Sequence, residues 1–292
     1  MRETVKPMIK TGWVLCLVLP LLPLLACARQ EAVATTQTNE QGCTRIRSIG
    51  PQDPFKDPPP LKQACLGPYL LEIPQNYFYN QIGTEHDGSY ALALEYPSLQ
   101  PFKPGERMGL TADVSARTVT VDYDFIDRID VHEAMRRNYV PMEYKKDDPE
   151  ETLEGRLGGP TVYGLSPYYL DMNVVRAHYR KKGLREDAPV MQAEWHTDWF
   201  LSKDQNGEVT TVVKCTPREV ITSGVEYRDG KLVKSSETGY AECKHTFMIA
   251  SRDTLIRISY PREGLEHWGE IEQRARDLLR KFTVEQSRKA HQ

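Results

Sequence analysis

Long apolar runs, a surplus of basic charge and paired metal-ligand motifs are all missing from most of this 292-residue chain. Mean hydropathy is −0.56, too low for a polytopic membrane protein. Lys plus Arg is 38 and Asp plus Glu is 41, a net charge of −3. A general nucleic-acid binder needs a basic excess to displace counterions from phosphates, so that class is excluded. The six cysteines form no CxxC pair and no Cys/His cluster, which argues against zinc-finger and dithiol redox chemistry. No GxGxxG loop occurs, nor a GxxxxGK loop followed by Ser or Thr, so the usual nucleotide cradles are absent. His132-Glu133 is followed by Arg136 where a zincin carries its second histidine. What is present suffices for a packed core: 39% hydrophobic and 27% charged residues describe a globular chain of one large domain or two small ones.

The single long apolar stretch is residues 13 to 26, WVLCLVLPLLPLLA. A spanning helix needs about 20 apolar residues, and this run is shorter and holds Pro20 and Pro23. Arg2, Lys6 and Lys10 precede it, which gives the order of an export signal. The run ends in Leu24-Leu25-Ala26-Cys27 and resembles a bacterial lipobox, with Leu at −3, a small residue at −1 and Cys at +1. That resemblance implies cleavage after residue 26 and acylation of Cys27, palmitate included. Several acyl chains hold a protein firmly at a bilayer. Ala28 follows the cysteine and no Asp does, which by the same resemblance implies the outer membrane and its periplasmic leaflet. Loss of Arg2, Lys6, Lys10 and Glu3 moves the net charge from −3 to −5.

Cys43, Cys65, Cys215 and Cys243 then remain, an even number in an oxidising compartment. Four cysteines allow three pairings. Cys43–Cys65 and Cys215–Cys243 are preferred because each closes a local loop. Residues 27 to 60 read as a lipidated cysteine and a tether. Positions 28 to 42 are small and polar, and PQDPFKDPPP at 51 to 60 is proline-rich and extended.

Folded structure is expected from Leu61. Tyr69 to Ile73, Tyr90 to Tyr96 and Arg117 to Phe125 read as strands, the last two by clean alternation. Asp130 is placed to cap a helix over 131 to 138, with Glu133 in the capping-box position. The charged stretch 144 to 156 reads as a surface loop between two lobes, 61–150 and 151–285. In the second lobe Asp171 to Lys182 reads as a helix stopped by Gly183. Residues 190 to 203 and 208 to 215 form a hairpin, 227 to 233 turn at Asp229-Gly230, and 243 to 250 pair with 254 to 260. Leu265, Trp268, Ile271, Ala275, Leu278, Leu279 and Phe282 lie on one face of a terminal helix. Mixed succession with hairpins indicates an α+β fold: antiparallel sheets with a C-terminal amphipathic helix packed on them.

Glu194, His196 and Asp198 stand at i, i+2 and i+4, with Trp195 and Trp199 between and after them. On one strand the three would share a face and offer metal or acid–base chemistry. The plainer reading is the solvated face of a half-buried strand with both tryptophans inward. Gly164-Leu165-Ser166-Pro167 lacks the second glycine of a nucleophile elbow, and Pro167 has no N–H for an oxyanion hole. His178 with Arg176, Arg180, Lys181 and Lys182 reads as a basic helix end. No catalytic residue, metal site or cofactor is assigned. Tyrosine is abundant, 15 against 7 Phe, and Tyr77, Tyr79, Tyr139, Tyr144, Tyr163, Tyr168 and Tyr169 fall in or beside predicted loops, a composition suited to recognition.

Leu70-Leu71-Glu72-Ile73-Pro74 with Tyr77, and Phe247-Met248-Ile249 through Leu265-Glu266-His267-Trp268 with the terminal helix, resemble segments of periplasmic immunity lipoproteins. That family protects bacteria from type VI secretion effectors, phospholipase effectors in particular. The resemblance covers most of the chain after residue 26. It implies a protein partner, a secreted toxin effector, bound stoichiometrically and blocked at its active site or its access to the membrane. The alternative is an envelope-assembly or surface-binding lipoprotein with no toxin partner.

Overall fold

The computed structural model describes residues 33–84, 86–220, 224–236 and 239–284. The expected signal, residues 1 to 26, and Cys27 lie outside them. The first described element is a hairpin, β1 (Val33–Thr38) paired antiparallel with β2 (Thr44–Ile49). Part of the expected tether is therefore paired strand. Its anchors are long-range. Asn39 accepts from the Cys43 N–H at 2.8 Å and donates to the Gly67 carbonyl at 2.7 Å. The buried Arg45 guanidinium lies 2.9 Å from Asp87. Cys43 is bonded to Cys65, Cα atoms 6.0 Å apart. None of these contacts leaves a local hydrophobic period.

Cys65 belongs to a second hairpin, β3 (Leu61–Leu66) with β4 (Tyr69–Pro74). Gly67 turns it at φ +55°, and a Cβ there would meet the Phe125 ring at 2.4 Å, so glycine is needed for both conformation and space.

The remaining strands build one antiparallel sheet. In chain order they are β5 (Ser89–Glu95), β6 (Gln100–Pro101), β7 (Thr118–Phe125), β8 (Arg156–Gly158), β9 (Ser166–Leu170), β10 (Asp198–Lys203) and β11 (Val209–Cys215). The hairpin β12 (Val225–Arg228) and β13 (Lys231–Lys234) stands apart as a two-stranded ribbon. It turns at Asp229-Gly230, both at positive φ, as a two-residue hairpin turn requires. Then come β14 (Glu242–Ile249) and β15 (Thr254–Pro261). The nine strands run β6-β5-β7-β15-β14-β11-β10-β9-β8. The late strand β15 pairs with the early strand β7, so segments 61–150 and 151–285 supply one sheet rather than one each. The described residues cluster as one compact unit. Cys215 and Cys243 lie directly opposite on β11 and β14 and are disulfide-bonded.

Among the described residues four α-helices connect and cover the strands: α1 (Ala112–Ala116), α2 (Val131–Arg136), α3 (Met172–Lys181) and α4 (Trp268–Phe282). Asp130 caps α2 by accepting from the N–H groups of His132 and Glu133. Glu133 does not reach back to close a capping box; it pairs with Arg136 and Arg137 instead. Gly183 follows α3 at φ +79°. The terminal helix lays Ile271, Ala275, Leu278, Leu279 and Phe282 on one face of the sheet, against Tyr90, Leu92, Val121, Tyr123, Phe247 and Ile258.

Two polar links fix the seating of α4. The Tyr123 hydroxyl donates to the Ala275 carbonyl at 2.9 Å. Glu272 lies 3.1 Å from His245 Nε2, accepts from the Thr211 hydroxyl at 2.9 Å and pairs with Arg276 at 2.6 Å. Burial pushes the Glu272 carboxyl up, but His245 and Arg276 outweigh it and hold the group below the usual range. Trp268, expected as the largest anchor, is only partly buried and donates its indole N–H to the Tyr163 carbonyl at 2.8 Å.

Candidate functional site

The two faces of the sheet differ. Strand alternation that sends Val119, Val121 and Tyr123 toward α4 sends Thr118, Thr120, Asp122 and Asp124 the other way. Across the sheet this second face continues through Arg257 and Ser259 on β15 and Glu242, Lys244 and Thr246 on β14. At its β10–β11 end it is covered. Met135 of α2, with Ile126, Tyr139 and Leu153, packs on Trp199, Leu201, Val212 and Leu255. Trp199 also carries two cations, with Lys214 Nζ 3.7 Å and Arg156 Cζ 4.0 Å from its ring. Burial pushes Lys214 down to about 8 and Arg156 to about 10.

Over β7 the same face is grooved rather than covered. One cavity of about 180 Å³ is lined by Arg107, Leu110, Thr118, Thr120, Tyr240 and Ser259, with Tyr79 at its edge. A second, of about 360 Å³, shares Tyr79 and reaches Ala91, Asp122 and Asp124. Four alternate residues of one strand, spanning about 20 Å, thus line two cavities that share Tyr79. Their rim is apolar and accessible: Leu110 is 76% exposed, Tyr79 49% and Tyr240 39%. The Tyr79 corner is held by Arg107, which donates to the carbonyls of Phe78 and Tyr79. Burial lowers the Arg107 guanidinium to about 10. Tyr79 and Tyr240 are of a residue type enriched at protein interfaces.

The ionisable trio of the sequence does not assemble. Residues 190 to 203 are not one strand: Pro189–Met191 and Ala193–Trp195 are 3₁₀ turns, and β10 begins at Asp198. The turns invert the expected burial. Trp195 is 67% exposed, whereas His196 is 7% and Asp198 2% exposed. His196 places Nδ1 3.0 Å from Glu150 and Nε2 2.9 Å from the Val190 carbonyl. Asp198 accepts from the Arg218 N–H at 2.8 Å, on a different set of partners. Glu194 is exposed. Among the described residues no three His, Cys, Asp or Glu side chains converge to hold a metal.

Ser166 opens β9 and is exposed, with Pro167 buried beside it. Around α3, Arg180 pairs with Glu186 and Arg176 donates to the Met191 carbonyl. Of the tyrosines expected at a recognition surface, Tyr79, Tyr144 and Tyr163 are exposed, Tyr77 is core, and Tyr139, Tyr168 and Tyr169 are half-buried. The residues missed from sequence are Asp122, Asp124, Thr120, Leu110 and Tyr240. The alternation of β7 marks the first three as one polar face; only the tertiary structure shows that face to be grooved.

No described helix is long and apolar enough to cross a membrane. No protein-family model matches the chain. No curated protein matches it. Among solved structures, the chain is similar to Smlt3025, an immunity protein of the Stenotrophomonas maltophilia type IV secretion system. The TM-score is 0.67 and the identity 22%, over 86% of this chain and 99% of that one. It also overlaps the iron-regulated outer membrane lipoprotein FrpD of Neisseria meningitidis, with a TM-score of 0.43 and 10% identity over 85% and 98% of the two chains. The first likeness is one of fold.

Proposed function

We propose that this chain is an exported lipoprotein that binds a secreted antibacterial effector and neutralises it by occlusion, not by catalysis. The observation that carries the reading is the grooved, uncovered sheet face with its rim of Tyr79, Leu110 and Tyr240. Two disulfides suit an oxidising compartment. The lipobox at Leu24 to Cys27 supports attachment to the outer membrane, facing the periplasm, where an incoming effector arrives. The fold likeness to a secretion-system immunity protein supports the same role. That protein belongs to a type IV system, so the type VI phospholipase subclass expected from sequence gains no support, and the partner is taken as a secreted effector without that restriction.

The test is protection. Bacteria producing the full chain, and bacteria lacking it, are challenged with the effector encoded beside its gene. Survival only with the chain present, together with a 1:1 complex burying roughly 1,600 Å², is the expected result. Equal survival without the chain, or recovery of envelope-assembly proteins instead of an effector, overturns the proposal in favour of an envelope factor.

A further inference from the structure

The larger cavity beside β7 is not electrically balanced. Asp122 and Arg257 are direct cross-strand partners, yet the Arg257 guanidinium pairs with Asp124. Among the described residues no hydrogen bond or ion pair is made to the Asp122 side chain. Two carboxylates therefore share one guanidinium at the floor of a cavity of about 360 Å³. Burial, and then the neighbouring Asp124 charge, push the Asp122 carboxyl above its usual range. A cation entering the cavity would relieve both effects.

The wall beside Asp122 selects the kind of cation. Tyr79 lines the cavity, and its ring already stands 5.7 Å from the Arg107 guanidinium. Arg107 itself holds the Phe78 and Tyr79 carbonyls, so the wall is fixed before anything binds. A guanidinium is planar, keeps its charge when desolvated, meets a carboxylate in two parallel hydrogen bonds and lies well against an aromatic ring. A metal ion would need more ligands than converge here. The net negative charge of the chain favours a cationic visitor as well.

We infer that this cavity receives an arginine side chain of the bound protein partner, with the guanidinium on Asp122 and against Tyr79. The inference rests on the proposed binding of an effector and names the chemistry of one contact in it.

The probe is L-argininamide, with the neutral isostere L-citrullinamide as its control. Each is titrated into the full-length protein in detergent and read by saturation-transfer NMR. Argininamide is expected to take up saturation with a dissociation constant of about 1–10 mM, and citrullinamide to take up none. Asp122→Asn should weaken argininamide at least about fivefold, and Arg257→Gln, which removes the competing guanidinium, should tighten it about threefold. Comparing the two probes on the unaltered protein keeps the test decisive if a variant fails to fold. Equal saturation of both probes, or argininamide binding unchanged in a folded Asp122→Asn protein, overturns the inference. The protection assay separates this from the broader reading. Protection by the unaltered chain without argininamide discrimination removes only the arginine contact. Discrimination without protection removes the effector role and, with it, the assignment of the cation to a toxin.

Discussion

Trp199 and Trp195 stand four residues apart and have opposite surroundings. Trp199 is buried between β9 and β11, against Leu201 and Met135, with Arg156 and Lys214 over its ring. Truncating it removes a large buried area and strands two desolvated cations. Trp199→Ala should cost about 3–5 kcal/mol, read by urea unfolding. Trp195→Ala, at an exposed position, should stay within about 0.5 kcal/mol of the parent. Similar losses for the two would contradict this placement. His196 carries the second residue-scale prediction. Burial pushes its imidazolium down, but Glu150 and the Val190 carbonyl outweigh burial and raise it above the ordinary value of 6.5. Both ring nitrogens face acceptors, so the protonated ring satisfies the site. A raised folded value means that the stabilisation is complete below pH 6.5 and is lost as pH rises through the folded value. Unfolding measured at pH 6 and at pH 8.5 should show a loss in the parent that His196→Gln abolishes. Equal changes in the parent and in His196→Gln across that interval would refute the pairing.

At the scale of elements, legibility follows where the stabilising contacts lie. β5, β7, β14, β15 and α4 carry their own period, because one face of each meets the core. Each was readable within a few residues of its ends. β1 has no buried apolar residue, so nothing local separated it from a tether. The stretch before β10 has the alternation of a strand but is broken into turns, with His196 and Asp198 drawn inward by Glu150 and by the Arg218 N–H. Strand order was not legible, since pairing β7 with β15 joins residues far apart in sequence. The grooved face was half legible: β7 shows polar alternation, but its cover depends on where α2 and the Arg107 segment pack.

The same distinction separates the two disulfides. Cys43–Cys65 ties an otherwise exposed hairpin to β3, whereas Cys215–Cys243 joins strands already hydrogen-bonded within the sheet. Loop-closure entropy assigns each about 3 kcal/mol, but the first should act locally. Replacing Cys43 and Cys65 by serine is expected to speed amide exchange across β1–β2 while the nine-stranded sheet stays protected. Replacing Cys215 and Cys243 should instead lower the stability of the whole sheet in one transition. Exchange in β1–β2 that is unchanged by loss of the first bridge would show that the polar anchors, Arg45 on Asp87 and Asn39 on Gly67 among them, hold the hairpin without it.

For the whole molecule, the proposed anchor would set where the grooved face works. Five residues separate Cys27 from Val33, the first residue of β1, and the six steps between them extend at most about 20 Å. If Cys27 is acylated, the β1–β2 hairpin stays next to the bilayer, and the protein samples a thin layer of periplasm instead of its full volume. Confinement raises the local concentration where an effector reaches the envelope, without adding any contact to the complex. Cys27→Ser should therefore separate binding from protection. Exported from a non-lipoprotein signal, the variant is expected to fractionate as soluble, to bind the effector with unchanged affinity, and to protect cells less well at equal abundance. Added copies should restore protection, because concentration is what the anchor supplies. A variant that stays in the membrane fraction would refute acylation at Cys27. A soluble variant that protects fully at low abundance would show that anchoring contributes nothing to neutralisation, and that affinity for the effector is sufficient.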